Sequence, residues 1–215
     1  MLEELKRQII QTGMLMDRYQ LIALSGGNVS VRVDDKILVT PSGMMYETLI
    51  EDDIVVLDLQ GKIIEGTRRV SVDTQALLYI FNHLPEVKAI IHTHQPYATA
   101  IGLVEDRLPC CLTTLANTAK GEVLVADYAS AASLEMGIQT VKFLGDKLSI
   151  ILRNHGVICV GSDLQQALYS AIYLEEAAKT YAIARSMSDK ISILNDQQIE
   201  EAIDVFRHYG QKPRG

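Results

Sequence analysis

The sequence predicts one layered α/β domain spanning residues 1–215, with helices on both faces of a largely antiparallel sheet. Three observations carry this. Short alternating segments rich in β-branched residues crowd the first third, apolar runs alternate with helical patterns through the centre, and two long helical patterns close the chain. There is no internal repeat and no low-complexity linker.

From Leu2 to about Leu24, Leu5, Ile9, Met16 and Ile22 follow the spacing of an amphipathic helix. Gly26-Gly27 interrupts it. Val29 to Val33, Ile37 to Thr40, Ile54 to Leu59 and Lys62 to Glu65 then read as strands, divided by Asp34-Asp35, Pro41 and Gln60-Gly61. A helix from about Val72 to Leu84 is supported by Ala76, Leu77, Ile80 and Phe81, and Pro85 stops it. The run Ala89-Ile90-Ile91 predicts a strand, and Pro96 suits the first turn of the next helix. The middle of the chain before Ser130 carries no clear period. Beyond them the pattern gives a helix over Ser130 to Leu144, strands over Leu148 to Leu152 and Val157 to Val160, and helices over Asp163 to Met187 and Asp196 to Tyr209.

A chain of 215 residues with 48% hydrophobic side chains can bury a sizeable core without dividing into two domains. Its formal charge of −7 excludes the basic footprint of a nucleic-acid binder, and Arg68-Arg69 is too short to supply one. No apolar run approaches the ~20 residues that span a bilayer, and the first twenty residues form a charged amphipathic segment, not a signal peptide. The expectation is a cytoplasmic protein with no membrane partner. Cys110, Cys111 and Cys159 lack zinc-knuckle or disulfide spacing and read as small buried residues.

The chemistry concentrates in histidine. His92 and His94 stand at the end of one apolar run, and side chains at i and i+2 of a strand leave the same face, so both can grip one ion. His155 follows a second run, Leu148 to Leu152, and could complete a tripod from a neighbouring strand end. Three imidazoles with one position open describe a catalytic zinc site, whereas a structural zinc takes four protein ligands and no cysteine is placed to be the fourth. The bland alternative is a histidine that hydrogen-bonds to a backbone carbonyl. Gly156 strengthens the metal reading, because a small residue lets the backbone turn closely around an ion. His83 and His208 lie on helical segments and read as solvated.

Chemistry at an open metal needs a proton shuttle, and Asp73 in Ser71-Val72-Asp73-Thr74 is the candidate. Ser71 or Asp73 as a plain helix cap stays open beside it. Two turns look like anion cradles. Ser25-Gly26-Gly27-Asn28 and Thr40-Pro41-Ser42-Gly43 offer backbone amides, hydroxyls and a carboxamide, and neither needs net positive charge to receive a phosphate.

Gly27-Asn28-Val29-Ser30, Thr40-Pro41-Ser42-Gly43, Ser71-x-Asp73, His92-x-His94 and Asn154-His155-Gly156, in this order and at these separations, resemble the class II aldolase/adducin family over nearly the whole chain. Its aldolases of phosphorylated ketoses are the most similar members, and the tail Phe206-Arg207-His208-Tyr209-Gly210 looks like theirs. The resemblance implies a three-layer α/β/α domain around a mixed, mostly antiparallel sheet, and a homotetramer with active sites at subunit interfaces. It implies Zn2+, or another divalent transition metal, on His92, His94 and His155, with Asp73 as general acid/base. It implies phosphate binding by Gly27, Asn28, Ser42, Gly43 and Ser71, and a Tyr209 that reaches the neighbouring subunit's substrate. The expected reaction is reversible cleavage of a ketose phosphate resembling L-fuculose 1-phosphate into dihydroxyacetone phosphate and an aldehyde.

Three positions depart from the aldolase pattern. Val72 replaces a second phosphate-binding serine, Thr113 stands near the place of a substrate-facing tyrosine, and Asp73 replaces a glutamate, moving the carboxylate by more than ~1 Å. The family's sugar-phosphate 4-epimerases share the tripod and use an aspartate in a segment similar to residues 71–74. Where they carry a histidine and a catalytic aspartate, this chain has Leu115 and Asn117, and an amide cannot exchange a proton as a carboxylate does. Sugar-phosphate dehydratases and decarboxylases of the family follow. A non-catalytic binding module, as in adducin, has no use for an open tripod.

Overall fold

The computed structural model of the protein describes residues 2–207. In chain order the elements are α1 (Leu2–Arg18), β1 (Asn28–Val33), β2 (Lys36–Val39), β3 (Val55–Asp58), β4 (Ile63–Glu65), α2 (Thr74–His83), β5 (Ala89–Thr93), α3 (Pro96–Val104), β6 (Arg107–Leu108), α4 (Thr113–Ala119), β7 (Val123–Ala126), α5 (Leu134–Leu144), β8 (Ser149–Leu152), β9 (Gly156–Gly161), α6 (Leu164–Met187) and α7 (Asp196–Arg207). One sheet takes all the strands in the order β4-β3-β2-β1-β5-β9-β8-β7-β6. Among the described residues only the β7/β8 pair is parallel.

The alternation of strand side chains divides the core into two layers. On one face, Val29, Val31, Leu38, Val56, Ile91 and Cys159 pack against α1, α3, α4, α6 and α7 through residues such as Ile9, Met16, Ala98, Ile101, Leu115, Leu174 and Ala202. On the other, Ile37, Val39, Val55, Leu57, Ile90, Ile150 and Ile158 pack against α2 and α5 through Leu77, Ile80, Phe81, Met136 and Leu144. Helices on both faces of a mixed, mostly antiparallel sheet are the arrangement expected from the sequence. Every residue of β5, β8 and β9 is buried, which explains their unbroken apolar runs, while all of β4 is exposed at the edge. No helix among the described residues is long and apolar enough to cross a membrane.

Several boundaries differ from the sequence expectation. The first helix ends at Arg18, not Leu24, because Gln20 (φ 58°) and Leu24 (φ 55°) turn left-handed and carry Leu21 and Ile22 into the core through a loop. The second begins at Thr74, not Val72. The helix expected from Ser130 starts at Leu134, where the Ser133 hydroxyl accepts from Met136 N–H. The uninterpreted middle holds α4 and the strands β6 and β7. The last residues of the helix expected to reach Tyr209 lie outside the described residues.

The layering sets a stability contrast between a central and an edge strand. Ile90, fully buried in β5, should cost about 2–5 kcal/mol on Ile90→Ala substitution. Ile64, about half exposed on β4, should cost no more than roughly 0.5 kcal/mol on the same change. Urea unfolding of both variants checks this, and equal losses would contradict the assignment of centre and edge.

Candidate active site

The start of β1, the ends of β2 and β5, the start of α2 and the β8–β9 turn meet at one end of the sheet. Register brings them there. Asn28 pairs directly with His92 across β1 and β5, and Thr93 pairs with Val157 across β5 and β9. Thr40 joins Val29 through two hydrogen bonds, and Pro41 bridges Val70, so residues 40–43 run beside residues 69–71.

Here His92, His94 and His155 gather, with one imidazole nitrogen from each within 4.8 Å of the others. His92 shares the strand face of Ile90, which looks toward α2. His155 arrives on the turn from β8 into β9, where Asn154 takes the left-handed conformation (φ 60°). Gly156 follows because nothing larger fits: a Cβ there would stand 2.2 Å from the Thr93 carbonyl oxygen and 2.9 Å from His94 Cδ2. The crowding that makes Gly156 necessary thus comes from the strand carrying the other two histidines.

His92 is almost fully buried, and its Nδ1–H donates to the Val157 carbonyl at 2.8 Å, leaving Nε2 with its lone pair exposed to the cluster. His94 Nε2 lies 3.1 Å from His92 Nε2. Two nitrogens bound ~2.0–2.1 Å from a tetrahedral zinc stand about 3.3 Å apart, so this spacing matches a shared ion. Burial, reinforced by the neighbouring imidazoles, pushes His92 down to about 3. Burial also lowers His94 and His155, against the pull of Asp73. The imidazoles are therefore neutral at pH 7, the protonation state a metal requires. The buried Nδ1 of His155 has no hydrogen-bond partner among the described residues. Neutral nitrogen donors with a tautomer fixed from behind fit a divalent transition metal.

Asp73 occupies the N-cap position of α2 through its backbone alone. Its carbonyl accepts from Leu77 N–H, but its side chain makes no cap. Ser71 does that work, accepting Thr74 N–H and the Thr74 hydroxyl on its carbonyl and Asp73 N–H on its Oγ. The Asp73 carboxylate is left to accept from Asn28 Nδ2 at 2.9 Å, and its Oδ2 lies 3.9 Å from His92 Nε2. With His92 neutral, that approach is no ion pair.

Both expected cradles flank this cluster. Gly27 is left-handed (φ 72°), and a Cβ on it would meet the His92 carbonyl oxygen at 2.4 Å. Gly26 approaches the other edge of His94, 3.2 Å from a built Cβ to Nδ1. Ser42 and Ser25 are half-buried, Gly43 is exposed and left-handed, and Thr40 and Ser71 are buried. Val72 is exposed between Ser71 and Asp73. Tyr209 lies outside the described residues, as does His208. Thr113 stands elsewhere, in an apolar groove with Leu194, Ala202 and Phe206. Leu115 is core, and Asn117 lines a separate groove with Asp163 and Tyr169.

Sequence reading missed the groups that hold the strand ends still. Gln95 is fully buried, accepts from the Thr93 hydroxyl and donates to the Ala171 carbonyl of α6. Glu175, also on α6, accepts both Tyr97 N–H and Ala98 N–H at the start of α3. Arg153 ties the histidine turn to the Gly102 carbonyl and to Asp106. These partners lie tens of residues apart in the chain, so no local pattern announces them.

The neutral histidines give the metal-free protein a pH dependence. In the unfolded chain they take up protons near pH 6.5, whereas folded His92 stays neutral to about 3, so the unfolded state binds more protons and stability falls as pH drops below 6.5. By pH 5 His92 alone accounts for up to about 2 kcal/mol. Urea unfolding of chelated protein at pH 7 and pH 5 should reveal this loss, and His92→Gln should reduce it. Equal stability at the two pH values would contradict the burial described.

Residues 7–182 match the family described as Class II Aldolase and Adducin N-terminal domain. The L-fuculose phosphate aldolase of Escherichia coli is 30% identical over 207 residues, covering 96% of each chain. A solved L-fuculose 1-phosphate aldolase superposes with a TM-score of 0.90 at 29% identity, over 95% of this chain and 96% of that one. The enzyme of that name from Thermus thermophilus gives 0.77 at 27% identity, over 86% and 97%. The chain belongs to the class II aldolase and adducin N-terminal domain family.

Proposed function

We propose that the chain, working as one domain, cleaves a phosphorylated ketose reversibly into dihydroxyacetone phosphate and an aldehyde, with zinc held by His92, His94 and His155. The observation that carries this reading is the buried carboxylate of Asp73, turned away from its helix and toward three neutral imidazoles. Similarity to L-fuculose phosphate aldolases supports a sugar phosphate with the carbonyl next to the phosphorylated carbon. When bound, a divalent cation supplies Lewis-acid polarisation of a carbonyl and its adjacent hydroxyl.

The protein's own groups supply the remainder. Gly27, Asn28, Ser42, Gly43 and Ser71, on the turns beside the cluster, offer amides, a carboxamide and hydroxyls suited to a phosphate, and so fix the ketose in register. Cleavage removes the proton from the hydroxyl beyond the breaking bond. That oxygen becomes the aldehyde carbonyl, and the carbon–carbon electron pair passes to the half that keeps the phosphate, whose carbon is then protonated. Asp73 is the group placed to move these protons. The spacing fits a shuttle because the carboxylate lies beside the cluster without being consumed as a helix cap.

Assembly as a homotetramer with sites at subunit boundaries is supported by the exposed apolar side chains of Met14, Leu24 and Met45, which share one cavity beside the phosphate turns. Tyr209, from a neighbouring subunit, would assist at the aldehyde oxygen.

The test is a substrate panel. L-fuculose 1-phosphate, L-rhamnulose 1-phosphate and L-ribulose 5-phosphate are supplied separately to zinc-loaded protein, and release of dihydroxyacetone phosphate is followed by a coupled reductase. Release from a ketose 1-phosphate is expected. Formation of a C4 epimer alone would overturn the lyase reading in favour of epimerisation.

A further inference from the structure

We propose that Arg69 is a further phosphate-binding residue, a cation beside the 40–43 turn that makes the site favour phosphorylated over unphosphorylated ligands. This rests on the reading of that turn and Ser71 as part of a phosphate cradle, and it adds to the cradle without displacing any member.

Pairing of two short segments places the arginine. Pro41 bridges Val70 in antiparallel fashion, and Ser42 N–H donates to the Arg69 carbonyl at 2.9 Å. Ser42 therefore stands opposite Arg69, and Thr40 stands opposite Ser71. Side chains directly opposite share a face and successive ones alternate, so Thr40, Ser42, Arg69 and Ser71 leave one face while Pro41 and Val70 leave the other. The core agrees with this alternation, because Val39 and Val70 both pack in the layer of α2 and α5.

Along the shared face burial decreases outward. Thr40 and Ser71 are buried, Ser42 is half-buried and Arg69 is exposed. Opposite residues in such a pairing have Cβ atoms about 4.5–5.5 Å apart, and diagonal neighbours stay within reach of a long side chain. Arg69 thus extends a row of hydroxyls by one cation at its solvent end.

The two arginines of this segment are engaged differently. Arg68 donates from Nε to the buried Asp53 carboxylate at 2.6 Å, and Asp53 also accepts Ile50 N–H, so Arg68 is committed to the turn that leads into β3. Arg69 makes no side-chain hydrogen bond or ion pair among the described residues. Phosphate chemistry gives that unengaged cation a use. A phosphate dianion must approach a chain of net charge −7 and the neighbourhood of the Asp73 carboxylate. Amides and hydroxyls supply donors but no net charge, and the exposed Val72 side chain between Ser71 and Asp73 supplies neither. A guanidinium adds both charge and a planar fork of N–H donors that matches phosphate oxygens.

The test compares wild type, Arg69→Gln, Arg69→Lys and Lys62→Gln as full-length zinc-loaded proteins. Lys62 is the control, an exposed cation beside Asp58, at the opposite end of β3 from the Val55–Val39 pair that leads to Thr40. Kd values for inorganic phosphate, dihydroxyacetone phosphate and dihydroxyacetone are read by titration, with KM and kcat for ketose cleavage. Arg69→Gln should weaken phosphate and dihydroxyacetone phosphate roughly tenfold or more, the scale of a hydrogen bond to a charged group, and leave dihydroxyacetone unchanged. The loss should shrink as salt is raised. KM should rise with kcat little altered, as when binding common to ground and transition states is removed. Arg69→Lys should fall between wild type and Arg69→Gln, since it keeps the charge and loses the fork. Lys62→Gln should match wild type. An unchanged phosphate Kd in Arg69→Gln, an equal loss with dihydroxyacetone, an equal loss in Lys62→Gln, or a wild type that binds no phosphate would overturn the proposal. If wild type binds phosphate but cleaves no ketose phosphate, the lyase reading fails, and the phosphate Kd values still decide the role of Arg69.

Discussion

The hydrogen bond from His92 Nδ1 to the Val157 carbonyl is the constraint around which the site is arranged. It exists because β5 and β9 are antiparallel neighbours at the centre of the sheet, buried on both faces. It fixes the ring, selects the tautomer and directs Nε2 toward His94. The same strand pairing sets the β8–β9 turn beside the end of β5, so His155 arrives where the other two rings point. A shift of one residue in this register would send His92 to the opposite layer and dissolve the cluster.

Around that bond the protein spends its polar groups in a consistent way. Ser71 caps α2 so that Asp73 need not. Glu175 receives the free amides at the start of α3, and Gln95 anchors the strand end to α6, so the backbone that follows His94 is held from behind. The two glycines that approach the histidines most closely, Gly27 and Gly156, lie where any side chain would strike a carbonyl of β5.

Much of this could be read from the chain alone. The spacing of His92 and His94 after Ala89-Ile90-Ile91 needs only the two-residue period of a strand, and Gly156 beside His155 announces close packing. What was hidden has physical causes. The segment holding β6, α4 and β7 has elements of two, seven and four residues, too short to establish a period. The first helix could not be ended correctly, because Leu21 and Ile22 continue its apolar pattern while Gln20 and Leu24, neither of them glycine, turn left-handed. Whether the Asp73 side chain caps its helix was undecidable locally, because its partner, Asn28, lies 45 residues away in the chain.

Three imidazole nitrogens that share one divalent cation, with room left for substrate oxygen, have a direct signature in X-ray absorption at the zinc edge of the zinc-loaded protein. The expected coordination shell is three imidazoles at ~2.0–2.1 Å, completed by light oxygen donors. A shell containing sulfur, or fewer than three imidazoles, would contradict it.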